Sequence, residues 1–113
     1  MNMITTSKQG EVMVIALAGK WMGGNENQQL LDLIRGELMQ GTKAIILDLL
    51  QVQWMNSTGI GALAGALTST RSAGANLALT RVPADIQELL DISHLSTVFI
   101  IRKTMEEALQ AVM

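Results

Sequence analysis

Apolar and polar positions change their spacing midway along the chain, between Ala44 and Thr70. Ala44 to Leu50 (AIILDLL) is a nearly continuous apolar run broken by one acid. It is short enough for a strand buried on both faces. From Gly59 onward Ile60, Leu63, Ala64 and Leu67 recur at i, i+3, i+4 and i+7, the spacing of one helix face. Asn56-Ser57-Thr58-Gly59 lies between the two patterns, and these are residue types that start helices. A buried strand is therefore expected to run directly into a helix N-terminus that carries two hydroxyls. An open α/β sheet tends to place function at such a junction, because the strand fixes it and the free N–H groups favour an anion.

The same reading extends outward. Residues 3–8 (MITTSK) predict an edge strand, Gln9-Gly10 a turn, and Glu11 to Leu17 (EVMVIAL) a second strand that Gly19 ends. Lys20 to Gly24 is expected to be a loop. Asn25 or Asn27 then caps a helix to about Met39, with Leu30, Leu33, Ile34 and Leu38 as its apolar stripe and Gly41 as its stop. A strand over Lys43 to Leu50 leads through the junction into a second helix that ends near Ser72 and Gly74. Asn76 to Arg81 reads as a strand. Val82-Pro83 opens a third helix with Ile86, Leu89 and Leu90 inward, closed at Ser93-His94. Thr97 to Ile101 (TVFII) has strong β character, and Thr104 with Glu107 forms a capping-box pattern before a last helix, Met105 to Val112.

The alternation predicts one α/β domain over residues 1–113. Its sheet is mixed and mostly parallel, with about five strands, about four helices and an antiparallel hairpin at the start. Composition narrows the function. Apolar residues make up 49% of the 113, enough for a packed core. A net charge of −2 with only 8 Lys and Arg gives nucleic-acid binding little support. The absence of cysteine removes disulfides and thiolate metal sites, and a single histidine, His94, argues against a His-based metal site or triad. The opening residues lack a basic leader and a signal-peptide core, and no apolar stretch reaches the ~18–20 residues that span a bilayer. A cytoplasmic protein is expected, one that makes no direct membrane contact.

The segment DLLQVQWMNSTGIGALAGAL resembles the signature of the STAS domain of bacterial anti-sigma factor antagonists. That signature is an apolar strand ending in Asp, a short loop with an aromatic, then Asp-Ser-Ser/Thr-Gly-Ile/Leu-Gly and an apolar helix. The predicted order β-β-α-β-α-β-α-β-α also matches the family, over nearly the whole chain. The resemblance implies a protein-interaction switch with no catalysis and no cofactor of its own. Its partners would be an anti-sigma factor with serine kinase activity, to which ATP belongs, and a serine phosphatase. The phosphorylated serine would be Ser57, with Thr58 as the second hydroxyl. One residue departs from the pattern: Asn56 stands where the family has Asp. Asn caps and turns as Asp does, but brings no negative charge to a kinase or phosphatase. A STAS subunit of a signalling assembly or transport complex, binding its partner without phospho-control, is the alternative.

Two physical arguments accompany the resemblance. On the second helix Thr58, Gly61, Ala62, Gly65 and Ser69 gather opposite the apolar stripe. A face of small residues, with glycines that each cost ~1 kcal/mol relative to Ala, indicates close approach of another surface. That surface is either a docked partner, with Asn56, Ser57, Thr58, Gly59, Gly61, Ala62, Gly65 and Ser69 as the binding residues, or another part of the same domain. Ser57 is either a phosphorylation site or a simple N-cap, whose oxygen would accept from an N–H two or three residues on. A phosphate there adds about −1.5 to −2 charges, which a helix N-terminus tolerates, so its effect would fall on the partner.

Other residues carry blander expectations. Asp48 should accept from loop N–H groups, His94 should cap a helix C-terminus, and Trp54 should pack under the junction. Trp21 is either exposed beside the site or a lid on the core. An enzyme would require a nucleophile elbow, but G-x-S-x-G is absent. A nucleotide site would rest on Gly59-x-Gly61 alone, without a Walker lysine.

Overall fold

A computed structural model describes residues 2–113. The chain runs β1 (Met3–Gln9), β2 (Val12–Trp21), α1 (Asn25–Met39), β3 (Ala44–Met55), α2 (Ser57–Ser72), β4 (Asn76–Thr80) and α3 (Ala84–Ile92). It closes with a 3-10 turn (Leu95–Thr97), β5 (Ile100–Arg102) and α4 (Met105–Val112). Among the described residues the strands form one five-stranded sheet in sequential order, β1-β2-β3-β4-β5. The first pair is antiparallel and the other three are parallel. The expected mixed α/β sheet with four helices is thus what the chain adopts.

Sequential order has a packing consequence. Each parallel step steps the same way across the sheet, and crossovers share one hand, so α1, α2 and α3 fall on the same face. Alternation along the strands sorts the side chains accordingly. Met13, Ile15 and Leu17 of β2, Ile45, Leu47 and Leu49 of β3, and Leu77 and Leu79 of β4 meet Leu30, Ile34, Leu63, Leu67, Ile86 and Leu90 of the three helices. Val12, Val14, Ala44, Ile46 and Ala78 point the other way and are covered by Ala108 and Val112 of α4. The first half of β3 is therefore buried on both faces, which explains its continuous apolar run. Each fully buried Leu or Ile in that run contributes roughly 1.5–3 kcal/mol.

Three boundaries differ from expectation. Gly19 does not end β2: it adopts φ 97° within the ladder, opposite Val52, and the strand continues to Trp21. β3 likewise continues five residues past Leu50, to Met55. Both extensions depend on two bulges. Ala16 and Ala18 pair with Asp48 and Gln51, and Gly19 and Lys20 pair with Val52 and Trp54, so β3 carries an extra residue each time. The loop predicted over Lys20 to Gly24 shrinks to residues 22–24. The third correction concerns Thr97 to Ile101. The N–H groups of Val98 and Phe99 both bond the Leu95 carbonyl, which folds the start of this segment into a turn and leaves only Ile100–Arg102 as strand. Local β preference yields there to the turn that brings the chain back from α3.

Candidate functional site

β3 delivers the chain to the carboxyl end of the sheet with Met55 buried in the core. The next residue, Asn56, is extended (φ −103°, ψ −173°), and its Oδ1 accepts from the Gly59 N–H at 3.0 Å. Asn56 is therefore the N-cap of α2. Ser57 is the first helical residue and is exposed. This corrects the reading of Ser57 as the cap: the neighbouring amide does that work, and the hydroxyl faces solvent. No acid lies in the first turn of α2, so the helix itself supplies no counter-charge to the positive end of its dipole.

The segment after β2 is bound to this helix start. The Asn56 N–H donates to the Trp21 carbonyl at 3.3 Å, and Asn56 Nδ2 donates to the Met22 carbonyl at 3.2 Å. Asn27 Nδ2 donates to the Thr58 carbonyl at 3.2 Å. Two glycines let the segments meet. A Cβ on Gly59 would lie 2.3 Å from the Trp21 carbonyl oxygen, and one on Gly23 would lie 2.8 Å from Thr58 Cγ2. Met22, Gly23 and Asn27 were not singled out for the site from sequence. Their only sequence signal was a pair of glycines beside two asparagines expected to cap α1, a position that Gly24 takes instead without a side-chain bond.

The proposed binding residues divide by burial. Ser57, Thr58 and Gly61 are exposed. Asn56, Gly65 and Ser69 are half-buried, and Gly59 and Ala62 are buried. The small face of α2 is thus in part an internal packing surface. A Cβ on Gly65 would sit 3.2 Å from Leu31 of α1, whereas Gly61 faces open space.

Trp21 takes one of its two expected places, and Trp54 departs from its own. Trp21 is 1% exposed, and its indole N–H donates to the Ala18 carbonyl at 3.0 Å, so it is the core lid. Trp54 does not pack under the junction. It is 49% exposed, and with Lys20, Met22 and Gln53 it lines a groove of about 270 Å³ beside Asn56. Met55 lies inward on the same parity as Ile45, Leu47 and Leu49, and Trp54 outward, because the two bulges each add one residue and cancel; the residue they turn inward is Val52.

Asp48 and His94 take structural roles. Asp48, 7% exposed, accepts from the Leu50 N–H at 3.2 Å, as expected of a carboxylate serving backbone N–H groups. Its main partner is Arg81, which donates through Nε at 3.1 Å and through a terminal guanidinium nitrogen. That hydrogen bond raises the Arg81 pKa, burial opposes it, and the Asp48 charge adds to it. His94 is left-handed (φ 62°), and its N–H bonds the Asp91 carbonyl at 3.1 Å just beyond α3, the expected helix-ending position. Among the described residues no cluster of His, Cys, Asp and Glu is arranged to hold a metal, and no helix is long and apolar enough to cross a membrane.

The STAS domain model matches residues 3–108, and the chain belongs to the STAS domain family. Solved structures agree in fold. A candidate anti-sigma factor antagonist from Thermotoga maritima superposes with a TM-score of 0.87 at 21% identity, covering 96% of this chain and 93% of that one. The phosphorylated form of the Bacillus cell-fate determinant SpoIIAA gives 0.76 at 21% identity, covering 98% and 100%. A sulfate transporter family protein from Wolinella succinogenes gives 0.67 at 21% identity, covering 90% and 84%.

Proposed function

We propose that this protein is an anti-sigma factor antagonist. In this reading it is a non-catalytic switch that binds an anti-sigma factor with serine kinase activity through the start of α2. Phosphorylation of Ser57 controls the binding, and a serine phosphatase reverses it. The observation that carries the reading is the exposed Ser57 hydroxyl at the first position of α2, left out of the cap by Asn56. The likeness to antagonist structures, one of them in a phosphorylated form, supports it. A phosphate on Ser57 meets a helix N-terminus without a local acid, so the fold accommodates it. A docked partner meets a new dianion inside the contact, and losing about 4 kcal/mol of binding is a thousandfold loss of affinity. The partner supplies ATP, and the protein works in the cytoplasm without a cofactor, nucleic acid or direct membrane contact.

Asn56 favours a second reading. Without the family's Asp, a STAS subunit that binds its partner constitutively, in a signalling assembly or a transport complex, becomes a competitor, and one structural relative is a transporter family protein. Intact mass after incubation with ATP and a candidate anti-sigma kinase from the same genome separates the two. A gain of one phosphate, abolished in Ser57→Ala, supports the switch. An unmodified protein in a stable complex on a sizing column supports the constitutive module.

A further inference from the structure

The departure from the family pattern at position 56 has a structural use in this chain. Asn56 has two polar ends, and both are engaged: Oδ1 accepts from the Gly59 N–H, and Nδ2 donates to the Met22 carbonyl. A carboxylate keeps the first contact and loses the second, because it has no proton to donate. It would instead set an oxygen against the Met22 carbonyl oxygen. The segment held this way has few other restraints. Gly23 and Gly24 both adopt positive φ, 105° and 90°, in a stretch without secondary structure, where glycine leaves the backbone freest. The segment also carries Met22, 52% exposed, which lines a groove with Lys20, Gln53 and Trp54 and whose carbonyl is held by Asn56, the residue before Ser57.

We propose that Asn56 is a positioning residue. Its side-chain amide holds residues 22–24 against the start of α2, so that the partner docking on Ser57 reads both segments as one surface. The inference rests on the functional reading above and adds a second recognition element, Met22, together with the group that places it. The partner is the same kinase-type protein, with an apolar surface over Met22 beside its contact with Ser57.

The test uses the full chain as wild type, Asn56→Asp, Met22→Ala and the double variant. Three readouts are taken: Tm, backbone 15N relaxation of residues 22–24, and affinity for the anti-sigma kinase without ATP. In Asn56→Asp the cap survives, so Tm stays close to wild type, while residues 22–24 gain motion and affinity falls about tenfold. Met22→Ala lowers affinity in the wild-type background and adds little in the Asn56→Asp background, because a displaced Met22 has already lost its contact. Unchanged relaxation at residues 22–24 in Asn56→Asp overturns the proposal. So does increased motion with unchanged affinity, and so do additive losses in the double variant. A wild-type protein that binds no such kinase overturns the functional reading instead. Wild-type binding with an indistinguishable Asn56→Asp overturns only the positioning role.

Discussion

Two helix N-termini in this molecule meet the same requirement in opposite ways. α4 is capped locally. Thr104 Oγ1 accepts from the Glu107 N–H at 3.1 Å and bonds Glu107 Oε1 at 3.0 Å, and Glu106 and Glu107 place two acids in the first turn. Cap, charge and dipole are satisfied within four consecutive residues. α2 is capped by a neutral asparagine, has no acid in its first turn, and draws on Trp21, Met22 and Asn27 from elsewhere in the chain. At the third helical position α4 has Glu107, whose carboxylate accepts from the cap hydroxyl, and α2 has Gly59, pressed against a backbone carbonyl. A terminus that is complete by itself serves the fold. One without an acid in its first turn and fastened to a second segment is where the proposed phosphate and partner would be received.

The largest expected effect tests that fastening. Gly59→Ala gains about 1 kcal/mol of helix propensity, but its Cβ would lie 2.3 Å from the Trp21 carbonyl oxygen, so backbone has to move. Overpacking of this kind costs about 3 kcal/mol. A net loss of about 2 kcal/mol lowers Tm by roughly 8–10 °C, measurable by thermal unfolding. An unchanged or higher Tm would show that the close approach is not what requires glycine there. Removing the local cap at α4 is milder. Thr104→Ala should cost about 1 kcal/mol and leave affinity for any partner of the α2 site unaltered, as titration of the variant against that partner would report. A loss of binding in Thr104→Ala would mean that the two termini do not divide fold from function.

The contrast also explains what could be read from sequence. The capping box of α4 was visible because all its parts lie within residues 104–107. The apolar run of Ala44 to Leu49 was visible because both of its faces are covered. The end of β3 was not visible. Leu49, Val52 and Met55 are all buried, three residues apart, a spacing unlike the strand period of two. Each bulge adds one residue between successive inward positions. That hides the strand and turns Val52 inward. The small face of α2 was legible as a surface needing close approach, but Leu31, which covers it at Gly65, is a contact distant in sequence. Ser57 and Thr58 were legible as helix-start hydroxyls. That Asn56 rather than Ser57 makes the cap depends on a difference of one position in where the helix begins.

The smallest effect bears most directly on the α2 terminus. A negative charge at the first helical position should be stabilising wherever the dipole is uncompensated, by about 0.3–1 kcal/mol at low ionic strength. Ser57→Asp should therefore raise Tm by a few degrees at most, and the gain should shrink as salt rises and screens the interaction. In α4 the first turn already holds Glu106 and Glu107, so Met105→Asp at the equivalent position adds a third acid and should gain less or lose stability. Parallel melts of both variants at low and high salt make the comparison. If Ser57→Asp destabilises at low salt, the start of α2 is not a favourable place for an anion. A phosphate on Ser57 would then disturb the fold itself, and phospho-control would act through folding rather than through the docked partner.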